Sequence, residues 1–261
     1  MCIRDRMLMF VQERQEAILS LLAQNGKVLV KELSEQFQVT EDCIRKDLAS
    51  LEKRGLLKRA YGGAVISRVN THQGFVAQRS EIGVAAKQQI AEKALRLIRD
   101  GEVIFLDIST SNIELAKLLV RDNRRVSVFT NMVQVMQVLS APCAVDLTFI
   151  GGVLNRKNNG FVGSMSIDIL SHMRYDAAFL GTVGVDVYEN AVFTYMPEDG
   201  FTKKAVVGLS RRCYLLSENS KFRADGNFQY ATLDDFQGIV TEGAPTKEIK
   251  EKLESYQLEL I

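Results

Sequence analysis

The sequence predicts an α/β protein in two parts: a small N-terminal winged helix-turn-helix, followed by a larger domain with a mostly parallel sheet. Three observations predict it. Two short amphipathic helical segments, separated by a brief polar break, occupy residues 30–55. Residues 56–66 form short runs around a glycine turn, which indicates a two-stranded basic wing. Beyond residue 84, short apolar runs alternate with helical stretches, a pattern typical of a sheet covered on both faces.

The composition is that of a soluble globular chain with about two domains. Its 261 residues are 46% hydrophobic and 25% charged, and the net charge of +1 argues against a protein covered in nucleic acid. No apolar run approaches the ~20 residues of a membrane span, and no signal-peptide pattern is present. We therefore expect a cytoplasmic protein without a membrane partner. The four cysteines are scattered and only two histidines are present, so the sequence predicts no metal site, cofactor or disulfide framework.

The first domain is predicted over residues 7–66. Residues 1–6 precede a second methionine, Met7, and fit no predicted element, so we interpret them as a non-native leader. A first helix is expected at 11–25 and a short strand at 27–29. Together with the two helical segments and the wing, these elements complete the fold.

The second helix of the helix-turn-helix pair has recognisable ends. Ile44, Leu48 and Leu51 recur at i, i+4 and i+7 and predict its buried face. Thr40 is a candidate N-cap, acidic residues follow in the first turn, and Gly55 can end the helix. These signals also define the outer face.

That outer face carries polar and charged side chains near its N-terminal end, which is the end that enters the major groove in a helix-turn-helix. Basic residues outnumber acidic ones over 44–68, although the whole chain is nearly neutral. An ordinary helical hairpin with a solvated basic face has the same spacing, and spacing alone favours neither interpretation. The candidate DNA-contacting residues are Thr40, Glu41, Cys43, Arg45 and Lys46 around this helix and Lys58, Arg59 and Tyr61 on the wing.

The residues themselves resemble the DNA-binding domain of the DeoR family of bacterial transcriptional regulators. The matching runs are Ile44-Arg45-Lys46-Asp47-Leu48 and Tyr61-Gly62-Gly63-Ala64. Cys43, Lys46 and Tyr61 stand where the family usually has threonine, a second arginine and histidine. The resemblance implies sequence-specific binding to double-stranded operator DNA.

Residues 67–80 are mostly polar and follow neither period, which predicts a linker, and the second domain is expected over 81–261. Its first helix is predicted from Val84 to Arg99. Buried strands are predicted at Val103–Leu106, Val126–Phe129, Leu147–Ile150, Ala177–Leu180, Cys213–Leu216 and Gly238–Val240, with helices between most of them at Ile113–Val120, Met132–Leu139 and Lys203–Leu209.

Ligands of such sheets bind at the carboxyl ends of the strands. Ser109, Thr110 and Ser111 follow the first predicted strand and precede a helix, so hydroxyls and free backbone N–H groups converge there. This arrangement binds phosphate, but the same residues equally suit a helix cap. Asn131 and Lys221 follow other strands, and Lys221 is either an anion contact or a solvated loop lysine.

The second domain resembles the sensor domain of the same family from Arg79 to Ile261. The family's sensor is similar to the ribose-5-phosphate isomerase fold, and the resemblance implies a phosphorylated sugar or polyol as effector. Ser109 stands where the family usually has glycine. The matching segments include Asp107–Ser111, Thr130-Asn131, Asp176–Gly181, Gly184–Asp186, Lys204-Ala205 and Ser220–Phe222.

The resemblance implies roles for individual residues. Lys221 would add a charge-assisted contact to the effector phosphate. Lys204 and Glu198 are effector contacts or a surface ion pair, and an aspartate such as Asp186 can equally cap a turn. The candidate effector-binding residues are Asp107, Ser109, Thr110, Ser111, Asn131, Asp186, Lys204 and Lys221.

The sequence therefore predicts a transcriptional regulator, expected to be a repressor of a sugar or polyol operon, with no catalytic residues. Because a single winged helix has a small footprint on DNA, a homo-oligomer, either a dimer or a tetramer, is expected. The alternatives are a sugar-phosphate isomerase-like enzyme with a DNA-binding regulatory head and a DNA-binding structural protein without a ligand.

Overall fold

The chain divides into two compact units, residues 1–69 and 70–261. The computed structural model describes residues 11–25, 27–54, 56–60, 62–66 and 76–261. The predicted leader, residues 1–6, lies outside them. Among the described residues, no helix is both long and apolar enough to cross a membrane.

The first unit is the predicted winged helix-turn-helix. Its three strands form an antiparallel sheet in which the third strand lies between the first and second. The hairpin of the second and third strands is the wing. The elements are α1 (Val11–Asn25), β1 (Lys27–Leu29), α2 (Val30–Phe37), α3 (Glu41–Lys53), β2 (Leu57–Ala60) and β3 (Gly63–Ile66).

The apolar positions that predicted the helices form the core of this unit. Ile18 of α1, Leu33 of α2 and Ile44, Leu48 and Leu51 of α3 are all buried against one another. Burial of side chains of this size stabilises the fold by about 1.5–3 kcal/mol each. The positions of the helices therefore follow from their apolar faces.

Three local features hold α3 and the wing in place. The Thr40 hydroxyl accepts a hydrogen bond from the Cys43 backbone N–H at 3.3 Å, which is the predicted N-cap. The buried Asp47 carboxylate accepts from Arg14 Nε at 2.6 Å and Gln15 Nε2 at 3.2 Å, which ties α3 to α1. At Gly63 a Cβ would lie 2.0 Å from the Val28 carbonyl oxygen, so only glycine allows β1 to approach β3 this closely.

The second unit contains a seven-stranded sheet and two small antiparallel additions. Its helices are α4 (Val76–Glu81), α5 (Val84–Leu95), α6 (Thr110–Arg121), α7 (Val133–Leu139), α8 (Ser164–Ser171), α9 (Pro197–Leu209) and α10 (Lys247–Leu253). Its strands are β4 (Val103–Leu106), β5 (Ser127–Thr130), β6 (Asp146–Phe149), β7 (Val153–Asn155), β8 (Gly160–Val162), β9 (Ala177–Gly181), β10 (Gly184–Asp186), β11 (Ala191–Thr194), β12 (Cys213–Leu216), β13 (Phe228–Ala231), β14 (Gly238–Val240) and β15 (Glu259–Leu260).

The large sheet confirms the predicted mostly parallel α/β class. Its strand order is β15-β14-β12-β9-β4-β5-β6, and all neighbouring strands pair in parallel. Successive residues of β4 alternate between two cores, with Ile104 and Leu106 in one and Phe105 in the other. The sheet is therefore covered on both faces, as the continuous apolar strands predicted.

Several predicted boundaries differ from the structure, and the two largest differences concern α4 and α9. Residues 76–80 were assigned to the linker but belong to helix α4, in which Val76 is buried in the core of the second unit. A six-residue helix is too short to show a period, so tertiary contacts decide its structure. Helix α9 begins at Pro197 rather than Lys203. Proline is favoured in the first helical turn because an N–H there has no acceptor within the helix, so proline loses no hydrogen bond.

Candidate anion-binding pocket and nucleic-acid interface

A cavity of about 370 Å³ lies at the carboxyl ends of the central strands of the second unit. Ser109 follows β4, Thr182 follows β9 and Glu218 follows β12, and all three line it. Helix α4 and the first turns of α9 complete the wall. The cavity thus occupies the edge of the sheet where the sequence predicted a ligand site.

The predicted phosphate loop lines this cavity at the start of α6. Ser109 is the N-cap residue in an extended conformation, but its side chain makes no capping hydrogen bond. The N–H groups of Thr110 and Ser111, in the first turn, have no acceptor within the helix. The helix-cap interpretation therefore has no hydrogen bond to support it, and the helix N-terminus faces a space large enough for an anion.

A glycine opposite this loop makes room for the serine. A Cβ on Gly181 would lie 2.5 Å from Ser109 Oγ, so the Ser109 side chain packs directly against the Gly181 backbone. The Gly181 N–H in turn donates to Asp107 Oδ2 at 2.9 Å. The loop after β4 and the end of β9 are thereby held together.

The Asp107 carboxylate lies beneath the cavity rather than in its lining. It is 1% exposed and pairs with the Lys203 ammonium, while Asn112 Nδ2 donates to its Oδ1 at 2.7 Å. Burial raises the pKa of Asp107 and the Lys203 charge opposes that rise. Burial disfavours the charge on Lys203, but Asp107 and Asp199 outweigh it and raise the pKa of Lys203. The lysine is therefore protonated in the floor of the pocket.

Helix α9 supplies a polar pair that the sequence reasoning missed. Asp199 and Lys203 stand four residues apart, are both buried and both line the cavity. Thr194 Oγ1 donates to Asp199 Oδ2 at 2.6 Å. The predicted Lys204 and its suggested partner Glu198 are exposed and do not line the cavity. Pro197 was a sequence signal for the start of this helix, but the face that it buries depends on packing against other elements.

Three further cations line the cavity, and only Lys221 was predicted. Among the described residues, no carboxylate lies within ion-pair distance of Arg79, Lys87 or Lys221. Lys87 Nζ instead donates to the carbonyl oxygens of Arg79, at 2.6 Å, and Ile82. Burial lowers the pKa of Lys87 and of Lys221, and the nearby Glu218 opposes that shift in both.

Two predicted effector contacts lie away from the cavity. Asn131 is buried and donates from Nδ2 to the Phe161 carbonyl oxygen at 2.8 Å, which anchors the β7–β8 hairpin. The Asp186 carboxylate accepts from the N–H groups of Tyr188 at 2.8 Å and Glu189 at 3.0 Å. It therefore caps the turn of an antiparallel hairpin, which was the alternative left open by the sequence.

The outer face of α3 in the first unit is exposed, as predicted. Arg45 forms ion pairs with Glu41 at 2.5 Å and Asp42 at 2.8 Å, whereas Lys46 has no ion-pair partner among the described residues. Thr40 is exposed as well, and Cys43 is half-buried with its Sγ 3.9 Å from Arg14 Nη2.

The wing carries the other candidate DNA contacts. Lys58 and Arg59 are exposed on β2, and Arg59 pairs with Glu52 of α3 at 2.7 Å. Tyr61 lies outside the described residues. The described candidates thus form an exposed surface around α3 and the wing, consistent with docking on DNA.

Comparison with known proteins covers almost the whole chain. The HTH-type transcriptional repressor GlcR of Bacillus subtilis (strain 168) is 28% identical over 97% of this chain and 96% of its own length. The putative aga operon transcriptional repressor of Escherichia coli O157:H7 is 31% identical over 91% of this chain and 89% of its own. The glycerol-3-phosphate regulon repressor of Escherichia coli (strain K12) is 28% identical over 95% and 97%, respectively.

Structure comparison finds weaker similarity. A ribose 5-phosphate isomerase A from Methanocaldococcus jannaschii aligns with a TM-score of 0.38 and 19% identity over 52% of each chain. Similarity of this degree carries no argument about the site.

Two family models match the two units. A DeoR-like helix-turn-helix domain matches residues 14–69, and a DeoR C terminal sensor domain matches residues 83–243. The first match covers the helices and wing of the first unit, and the second contains the cavity loops that follow β4, β9 and β12. The chain therefore belongs to the DeoR family of transcriptional regulators.

Proposed function

We propose that this chain is a sequence-specific repressor of a sugar or polyol operon and that a phosphorylated sugar or polyol bound in the cavity controls its affinity for DNA. The observation that carries this proposal is a combination in one cavity: a helix N-terminus without a side-chain cap, and three cations, Arg79, Lys87 and Lys221, with no carboxylate within ion-pair distance among the described residues. The names of the relatives, which include repressors of an aga operon and of a glycerol-3-phosphate regulon, support the same class of function.

The charges of the cavity favour an anion. Among the described residues, four cations line it, Arg79, Lys87, Lys203 and Lys221, together with two acids, Asp199 and Glu218. Lys203 is already compensated by Asp107 beneath it, so the other cations carry the attraction. The cavity volume of about 370 Å³ lies within the range of pockets for small metabolites.

The phosphate group of the effector would bind at the start of α6. Ser109, Thr110 and Ser111 offer hydroxyls and first-turn N–H groups, and Lys221 adds a charge-assisted contact. We propose that the hydroxyls of the sugar or polyol meet Asp199, Lys203 and the other polar groups of the floor. In this assignment Asp107 positions Lys203 and does not touch the effector.

On the DNA side, we propose that α3 enters the major groove and that the wing contacts the backbone. Arg45 and Lys46 are assigned to base edges or phosphates, with Thr40, Glu41 and Cys43 beside them. Lys58 and Arg59 are assigned to phosphates. A homo-oligomer, a dimer or a tetramer, would present paired helices to the two half-sites of an operator, in the cytoplasm where operator DNA resides.

The proposed mechanism is linkage between the two ligands. The effector binds one arrangement of the sensor unit better than another, and the preferred arrangement has a different affinity for the operator. Switching an operator from mostly occupied to mostly free requires a differential affinity of about 5.5 kcal/mol between the two states. We propose that the chain is a regulator and not a sugar-phosphate isomerase.

A thermal-shift screen tests this proposal. The purified chain is heated with a panel of phosphorylated sugars and polyols, each beside its unphosphorylated parent, and a phosphorylated compound is expected to raise Tm because it binds only the folded state. The best compound is then added to the DNA complex to establish whether it releases or promotes binding. A panel without any shift, or conversion of a panel member to an isomer, would contradict the proposal.

Two matched lysine variants test whether the compound that raises Tm binds in the cavity. Lys221→Ala should lose most of the shift, whereas Lys204→Ala, on the exposed face of α9, should retain it. Loss of the shift in both variants would place the binding site elsewhere.

A further inference from the structure

Helix α4 occupies a special position in the chain. It is the first described element of the second unit. In the sequence, residues 67–75 separate it from β3 of the first unit. One of its side chains, Arg79, lines the cavity. The same short helix therefore belongs to the pocket wall and to the covalent connection between the two units.

The Arg79 guanidinium is incompletely satisfied. Its Nη2 donates to Asn158 Oδ1 at 3.1 Å, but its Nε is buried and has no hydrogen-bond partner in the part of the chain that the structure describes. Burial lowers the pKa of Arg79, and the charge of Asp199 only partly opposes that shift. Because arginine stays protonated in proteins, a buried N–H of this kind favours an anionic acceptor. A phosphate monoester in the cavity would supply one.

Among the described residues, few hydrogen bonds hold α4 to the rest of the second unit. Val76 is buried in the core, and its N–H donates to the Lys157 carbonyl oxygen at 3.0 Å. At the other end, Lys87 Nζ binds the Arg79 and Ile82 carbonyl oxygens. A helix of six residues has little stability of its own, so its position depends on such contacts.

We propose that α4 couples the pocket to DNA binding: the effector phosphate accepts a hydrogen bond from Arg79, holds α4 against the second unit, and thereby restrains the chain that leads to the DNA-binding unit. This inference rests on the proposed function and adds a residue and a route to it. Arg79 is thus an effector contact that also transmits the binding event. The alternative is that Arg79 only anchors the β7–β8 hairpin through Asn158.

Hydrogen exchange of the full chain, with inorganic phosphate as the probe, separates these alternatives. In the wild type, phosphate should slow exchange both at the start of α6, residues 109–112, and in α4. In Arg79→Gln, it should slow exchange only at the start of α6. Arg96→Gln, which changes an exposed arginine outside the cavity, should behave like the wild type.

The possible results are distinguishable. Slowing at the start of α6 without any change in α4 overturns the coupling proposal and leaves the proposed function intact. Equal slowing of α4 in wild type and Arg79→Gln also overturns it. No slowing at either segment overturns the phosphate site and the coupling with it. If Arg79→Gln lowers Tm, Arg79→Lys, which keeps the charge, should show an intermediate response of α4.

A DNA-binding titration completes the test, using a duplex that the wild-type chain selects from a random pool. Each variant is compared with itself, as the ratio of its Kd for this duplex with and without phosphate, so the comparison does not depend on the Kd in the absence of phosphate. Phosphate should change the wild-type Kd by at least about fivefold, a typical lower value for coupled sites, and should not change that of Arg79→Gln. Chloride at equal ionic strength controls for screening. A full phosphate response in Arg79→Gln overturns the proposal.

Discussion

The cations of the DNA-facing surface and those of the cavity differ in how they are neutralised. Arg45 and Arg59 are 55% and 51% exposed and lie beside acids of their own unit. Arg79 and Lys221 are partly buried and have no carboxylate partner among the described residues. An exposed ion pair contributes little, so a DNA phosphate can replace the acid at small cost. A partly buried, unpaired cation is instead stabilised by the anion that arrives.

Lys203 represents a third situation. Its side chain and that of Asp107 are 5% and 2% exposed, and the two form a buried ion pair. Neither partner can be removed without leaving a charge in a region of low dielectric constant. The three groups of cations therefore predict effects of different size on stability, on ligand affinity and on DNA binding.

The largest effect is expected from breaking the buried pair. Asp107→Ala removes the nearer carboxylate from the buried Lys203 ammonium and leaves Asp199 Oδ2 at 4.0 Å, so it should lower the free energy of unfolding of the second unit by about 3–5 kcal/mol. Urea denaturation of the full chain measures it. Asp186→Ala, which removes a turn cap near the surface, is the control and should cost much less. Equal losses in the two variants would mean that the Asp107–Lys203 pair is not a special determinant of stability.

The next effect concerns ligand affinity. Lys221→Ala removes a charge-assisted hydrogen bond worth about 1.5–3 kcal/mol and should weaken binding of the best phosphorylated compound by roughly 10–100-fold. The stability of the ligand-free chain should change little, because Lys221 forms no ion pair with a described carboxylate and the nearby Glu218 only partly opposes the effect of burial on the Lys221 pKa. Calorimetric titration measures the affinity, with Lys204→Ala as the matched control. An unchanged Kd would remove Lys221 from the site.

Arg45→Ala should change sequence preference. A base contact contributes about 1–3 kcal/mol of discrimination, so the ratio of affinities for the selected duplex and a single-base variant should fall by roughly 5–100-fold. Competition titrations measure this ratio. Lys53→Ala, at the other end of α3, should leave the ratio unchanged. If Arg45→Ala weakened both duplexes alike, Arg45 would be a phosphate contact.

The smallest effect is expected on the wing. Lys58→Ala should weaken binding to all duplexes by a similar factor and reduce the slope of log K against log salt by about 1, the loss of one phosphate contact. Titrations over a range of salt concentrations measure the slope. An unchanged slope would show that Lys58 does not reach the DNA backbone.

Much of the fold could be predicted because its signals are local. Ile44, Leu48 and Leu51 recur at helical spacing on α3, and Thr40 caps that helix as expected. The central strands are short apolar runs, and β4 is followed directly by the hydroxyl loop that lines the cavity. Each of these features depends on residues that are close in the sequence. Apolar periodicity and helix-capping residues can therefore predict them without knowledge of the tertiary structure.

The cavity-lining residues that the sequence did not predict depend on distant contacts. Lys203 was passed over for Lys204 because the face of α9 is set by packing against other elements, including the Phe228 ring that contacts Gly200. Arg79 was assigned to a linker because nothing local predicts α4, which is held by Lys157 and Lys87. Asn131 and Asp186 were expected in the cavity, but they bond to hairpins that the apolar pattern did not predict.

The amino-acid order alone specified the two units, the helix pair with its exposed basic face, and the loop Ser109–Ser111 at a strand end, because these follow from the spacing of apolar residues and from local capping groups. Tertiary structure alone decided which charges meet. It buried Lys203 on Asp107, left Lys221 without a carboxylate partner among the described residues, and brought Arg79 into the cavity wall. Whether a cation is compensated depends on groups far away in the sequence, and only folding brings those groups within a few ångströms.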